Sequence, residues 1–197
     1  MEHKIYNDVV PKLYLNELQK ILISQFLKWE FLLEVTASED ASNRIDDKNI
    51  IHTPAMVHLF RNRPSNEFSE HWPLIWPMKF FMEDKVGHSF DNIIRSKANL
   101  LLPSIRKGKE YFNMPHIDHY DTKDYVNVLF FPFDSDGDFF LFKENYKNGD
   151  AKTVNIEKRI SPKENTMVVF DGWQYHSGSN PIEYPFRISL NTTIACQ

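Results

Sequence analysis

His116 and Asp118 stand two residues apart in Tyr111-Phe-Asn-Met-Pro-His-Ile-Asp-His-Tyr120. On extended backbone, alternate side chains share a face, so both can address one point. His176, in Met167-Val-Val-Phe-Asp-Gly-Trp-Gln-Tyr-His-Ser-Gly178, offers a third ligand. Two imidazoles and one carboxylate on one face of an ion leave three positions open for a chelating molecule and O2, a donor set suited to non-haem Fe(II). Eleven residues after His176, Arg187 and Ser189 again alternate, in Phe186-Arg-Ile-Ser-Leu-Asn-Thr192. A guanidinium fork beside a hydroxyl suits a carboxylate held in an apolar interior. Placed deeper than the metal, the pair can take the far end of a dicarboxylic acid whose near end chelates the ion.

These side chains need a rigid scaffold, and the apolar pattern predicts one. Leu18, Ile21, Leu22, Phe26, Trp29 and Leu33 recur at steps of three and four, which predicts an amphipathic helix over 13–33. Thr53-Pro54 reads as a cap and first residue of a short helix to about Phe60. Pro77 opens another, to about Val86, stopped by Gly87. From Lys97 onward, short apolar and aromatic runs alternate with turn signals. The runs are 98–102, 125–133, 139–143, 153–160, 166–170 and 186–194, a spacing that predicts an antiparallel sandwich or barrel. The expectation is one domain over 1–197: a mostly helical support layer over 1–97 and a β-core over 98–197.

Composition narrows the function. Twenty-three Lys and Arg against 27 Asp and Glu give a net charge of −4, with a pI near 6.1. That supplies no global field for a phosphate backbone, so no nucleic-acid partner is expected. The single cysteine, Cys196, excludes an internal disulfide and any multi-cysteine metal site. No apolar run reaches the ~20 residues that span a membrane. The N-terminus shows no basic stretch followed by an apolar core, so a soluble cytoplasmic protein is expected. Aromatic residues make up 14% of the chain, a bulk that suits a two-sheet core.

The series His-x-Asp, a His about sixty residues on, and Arg-x-Ser eleven later resembles the Fe(II)/2-oxoglutarate-dependent dioxygenases over roughly residues 98–194. It looks most like their prolyl 4-hydroxylase-like branch, including small phage and bacterial members. The resemblance implies a double-stranded β-helix, the jelly-roll or cupin-like barrel, with N-terminal helices. It implies iron on His116, Asp118 and His176, and the 2-oxoglutarate C5 carboxylate on Arg187 with Ser189. O2 is the co-oxidant and ascorbate a stimulant. The implied reaction is hydroxylation of a C–H bond in a peptide or small molecule. The pattern departs from the branch in two ways. Many prolyl hydroxylases carry Lys where this chain has Arg187, and a cosubstrate-binding tyrosine on the following strands is replaced by Phe130 and Phe131. Tyr111 is the expected substitute.

Blander readings compete at each position. Asp134-Ser-Asp-Gly-Asp138 looks like a calcium loop, but the glycine and glutamate an EF-hand requires are absent, and a hairpin turn is the better expectation. His119 alternates away from His116, whereas Tyr120 shares its face. A second function class is a non-oxidative, cupin-like metal- or ligand-binding barrel. Cupins usually bring three or four histidines with a glutamate, and this chain offers two histidines, an aspartate and a carboxylate clamp. Metal identity, and whether 2-oxoglutarate binding needs Arg187, discriminate the two.

Overall fold

Two antiparallel sheets share an aromatic core, and helices cover the outer face of the larger one. The computed structural model describes residues 2–35, 45–90, 92–105, 108–119, 125–146 and 151–195. In chain order the elements are β1 (Lys4–Asn7), α1 (Lys12–Leu22), β2 (Glu30–Leu32), β3 (Ile50–Ile51), β4 (Ala55–Asn62) and β5 (Glu67–Phe68). There follow α2 (Trp72–Ile75), α3 (Met78–Val86), β6 (Asn92–Leu101), β7 (Phe112–Asn113), β8 (Tyr125–Phe131) and β9 (Phe139–Asn145). The last are β10 (Ile156–Ile160), β11 (Thr166–Asp171), β12 (Gln174–Gly178) and β13 (Arg187–Ala195). The large sheet runs β1-β11-β8-β13-β6-β4-β2, with β5 on β4, and the small one runs β10-β9-β12. A short parallel pair, β3 with β7, stands apart. This is a double-stranded β-helix, as the resemblance implied.

Strand alternation sorts the side chains into two cores. Val126, Val128 and Phe130 of β8, with Ile188, Leu190 and Ile194 of β13, face Leu15, Leu18 and Leu22 of α1 and Met78 and Met82 of α3. Leu129 and Phe131, on the other face of β8, meet Phe139 and Leu141 of the small sheet. Phe130 and Phe131 are both wholly buried, and each contributes roughly 1.5–3 kcal/mol of hydrophobic stabilisation. The odd-numbered positions of β13, from Arg187 to Thr193, therefore point into the barrel.

Several local expectations are corrected. The helix predicted over 13–33 ends at Leu22. Ser24 closes it: its backbone N–H and its hydroxyl both donate to the Ile21 carbonyl, and its Oγ accepts from the Phe26 N–H. Phe26 and Leu33 are exposed, and 30–32 instead pairs with β4. The segment after Pro54 is strand β4 and not a helix, because β6 and β2 flank it. Proline is as compatible with the start of a strand as with the first turn of a helix. Residues 1–97 are thus not mostly helical: they supply β1, β2, β4, β5 and half of β6. The turn over Asp134–Asp138 crosses from the large sheet to the small one and is not a hairpin. The Asp136 carboxylate accepts the N–H groups of Ile182 (3.0 Å) and Glu183 (2.8 Å), so this acidic run caps backbone. The expected stop at Gly87 is present, with φ 75°. Tyr120, Cys196 and most of the loop over 36–49 lie outside the described residues. Among those described, no helix is long and apolar enough to cross a membrane.

Candidate metal centre

Backbone pairing sets the two histidines side by side. His116, just beyond β7, and His176, in β12, exchange reciprocal N–H···O=C bonds of 3.0 Å. Their ring centroids are 4.6 Å apart. In each ring Nδ1 lies 3.1 Å from the carbonyl two residues upstream, Met114 for His116 and Gln174 for His176. A carbonyl only accepts, so Nδ1 carries a proton and Nε2 is the ring atom left to face a metal. His176 Nε2 is buried and has no hydrogen-bond partner. Burial, followed by the proximity of His176, pushes the His116 pKa down to about 3, so this imidazole is neutral near pH 7.

Asp118 sits at a bend two residues beyond His116, its side chain 1% exposed. Its Oδ1 accepts from Arg95 at 2.7 Å, and its Oδ2 accepts from Asn191 at 2.9 Å. Lys97 Nζ lies 3.8 Å from Oδ1, and His176 Nε2 lies 3.3 Å from Oδ2. Burial works to raise this carboxyl's pKa, but His176, Lys97 and Arg95 outweigh it and hold the pKa well below the usual carboxylate range. The ligand atoms of His116, Asp118 and His176 all lie within 4.8 Å of one another. The donor set is two imidazoles and one ionised carboxylate, which suits a divalent first-row metal.

Arg187 lies in the same narrow cavity of about 50 Å³, together with Lys97, Asn99, Ser189 and Asn191. It is 4% exposed, its Nε has no hydrogen-bond partner, and no acid pairs with it among the described residues. Desolvation lowers its pKa to about 10, which still leaves it charged at neutral pH. The guanidinium lies over the Phe131 ring, 5.6 Å from the centroid. Glycine shapes its seat: a Cβ on Gly178 would stand 2.9 Å from Arg187 Nη1. A buried cation without a partner is costly unless an anion arrives to meet it.

The structure thus brings His116, His176, Arg187 and Ser189 to one cavity, with Asp118 grouped beside the two histidines. Tyr111 is elsewhere: it is half-buried ahead of β7 and does not line the cavity, whose apolar wall includes Leu129 and Phe139. Arg95, Lys97 and Asn191 were not anticipated. Asn191 continues the alternation of Arg187 and Ser189. Arg95, Lys97 and Asn99 alternate in the same way on β6, a signal hidden because the strand was expected to begin only at Ala98.

No family model matches the chain, and no curated protein matches it in sequence; the likeness is in three dimensions. An oxidoreductase of the 2OG-Fe(II) oxygenase family from Burkholderia pseudomallei superposes with a TM-score of 0.63 at 15% identity, over 98% of this chain and 84% of that one. A prolyl-4-hydroxylase from Pseudomonas putida gives 0.54 at 10% identity, over 99% and 92%. The viral collagen prolyl hydroxylase of Paramecium bursaria Chlorella virus-1 gives 0.52 at 11%, over 100% and 91%. Over nearly its whole length, then, the chain has the fold of the 2OG-Fe(II) oxygenases, prolyl 4-hydroxylases among them.

Proposed function

We propose that the protein is an Fe(II)- and 2-oxoglutarate-dependent dioxygenase. It would hydroxylate a C–H bond of a peptidyl proline or a small metabolite, releasing succinate and CO2. The observation that carries this reading is a His–Asp–His donor set whose two histidines line the same cavity as a buried guanidinium that has no acid paired with it among the described residues. The buried Nε2 of His176, turned toward Asp118, fits a metal ligand, and so does the carbonyl-fixed Nδ1 of both rings. His116, Asp118 and His176 would hold the iron, which when bound supplies O2 activation and oxidative decarboxylation of the cosubstrate.

The chain's own residues do the positioning. Arg187 and Ser189 would take the C5 carboxylate of 2-oxoglutarate, Arg187 by a two-pronged charge-assisted contact. Arg95 and Asn191 fix both oxygens of Asp118 before any ligand arrives, which limits reorganisation on binding. Leu129, Phe131 and Phe139 make the wall beside these groups apolar and exclude water. The test is succinate formation by purified protein given Fe(II), 2-oxoglutarate, O2 and ascorbate. A panel of proline-containing peptides and free amino acids should include members that accelerate it. Absence of succinate under every condition would overturn the proposal.

A further inference from the structure

We propose that Lys97 is a second anion-recognising residue of this cavity, and that the molecule oxidised there carries an anionic group, a carboxylate or a phosphate. The inference rests on the oxygenase reading above and narrows its substrate class. β6 turns Arg95, Lys97 and Asn99 toward the barrel, with Lys97 paired across the sheet to Asn191 on one side and Leu59 on the other. Arg95 is committed, since it donates to Asp118 Oδ1 at 2.7 Å. The other carboxylate oxygen is met by Asn191. Lys97 Nζ stands 3.8 Å from Oδ1, beyond hydrogen-bond distance, on a side chain only 19% exposed. Arg95 and Asn191 already bond both carboxylate oxygens, and Lys97 meets Oδ1 only at ion-pair distance, so its three N–H donors keep capacity for a further acceptor.

Charge balance points the same way. Arg95, Lys97 and Arg187 surround the cavity and its rim, and among the described residues Asp118 is the one acid beside them. Asp138, the acid whose charge reaches Arg187, is itself bonded by Arg159 and Ser161. A divalent ion and a dianionic cosubstrate neutralise each other, so their arrival leaves the excess positive charge in place. A positive site with low-dielectric walls favours an anion strongly and leaves a neutral analogue with an unpaired cation to bury. Lys97 is also distant from Arg187 along the wall. Its cross-strand partner Asn191 lies four residues from Arg187 on β13, about 13 Å of strand. One short carboxylate seated at Arg187 does not reach it, although the metal-chelating end of the cosubstrate is a rival partner.

The experiment uses anaerobic protein loaded with Mn(II) and saturating 2-oxoglutarate, so that Arg187 is occupied. Inorganic phosphate is titrated calorimetrically into wild type, Lys97→Met and Lys97→Arg. Wild type should bind it, Lys97→Met should lose about tenfold or more in affinity, and Lys97→Arg should retain most of it. The affinity for 2-oxoglutarate should change less than about threefold in Lys97→Met. In wild-type turnover, amino acids and peptides with a free carboxylate should accelerate succinate formation more than their carboxamides. Phosphate binding that is absent from wild type, or unchanged in Lys97→Met, overturns the proposal. So does a tenfold loss of 2-oxoglutarate affinity in Lys97→Met, which would assign Lys97 to the cosubstrate. Failure of the oxygenase reading looks different: wild type would then bind no 2-oxoglutarate at all.

Discussion

The two ends of the cavity treat their charges in opposite ways. At one end Asp118 is bonded by Arg95 and Asn191 and faced by Lys97 and His176. At the other, Arg187 is equally buried, its Nε has no acceptor, and no acid pairs with it at ion-pair distance among the described residues. A group satisfied by its own chain is held ready, with its orientation fixed before a ligand binds. A group left unsatisfied lowers the stability of the empty protein and gains most when a counter-charge enters. The contrast separates a fixed metal-binding end from a ligand-dependent end.

Substitutions should break the two ends differently. Asp118→Ala should have the largest effect. Divalent-metal binding and succinate formation should both be abolished, and the metal-free protein should lose about 3–5 kcal/mol in urea unfolding as Arg95 and Lys97 are left unpaired. Arg187→Ala should weaken 2-oxoglutarate binding by about 2–5 kcal/mol, roughly 30- to several-thousand-fold, with metal affinity unchanged. Arg187→Met should leave the stability of the empty protein equal or higher, the reverse of Asp118→Ala. A large stability loss there would show that the guanidinium is already paired and would erase the contrast. Asn191→Ala removes a hydrogen bond to Asp118 and should cost about 10–100-fold in Mn(II) affinity by calorimetry. Gly178→Ala should push the Arg187 fork aside and weaken 2-oxoglutarate about tenfold while sparing the metal.

The subtlest effect per step is a pH slope. His116 takes a proton near pH 6.5 when unfolded, but in the folded chain only near 3, where burial and the facing His176 oppose its charge. Between those values the unfolded state binds more protons, so the stability of metal-free protein should fall as pH drops from about 6.5 toward 3. The contribution is up to about 1.4 kcal/mol per pH unit. His116→Gln should unfold with a correspondingly shallower pH dependence over that window in urea titrations. Equal slopes in the two proteins would show that this imidazole is not desolvated.

Local chemistry was legible where it depends on short spacing. His116-x-Asp118 and Arg187-x-Ser189 each state that two side chains share a face. The apolar runs from 125 onward mark most of the barrel strands, because a strand buried on both faces admits little else. Reading failed where two local signals conflict and only a distant partner decides. Thr53-Pro54 opens a strand because β6 lies beside it, and Leu33 is exposed because Ser24 ends the helix and β4 captures the following chain. Tyr111 offers a hydroxyl close in sequence to His116, but the chain path takes it away from the cavity. The sequence by itself determined which residue types could hold a metal and clamp a carboxylate, since donor chemistry and period-two spacing are local properties. Only the tertiary structure decided that Arg95, Lys97 and Asn191 converge on Asp118 while no described acid pairs with Arg187. Those relations join Asp118 to residues 23 positions before it and 73 after it, and they follow from the register of β6 on β13, a pairing no single segment encodes.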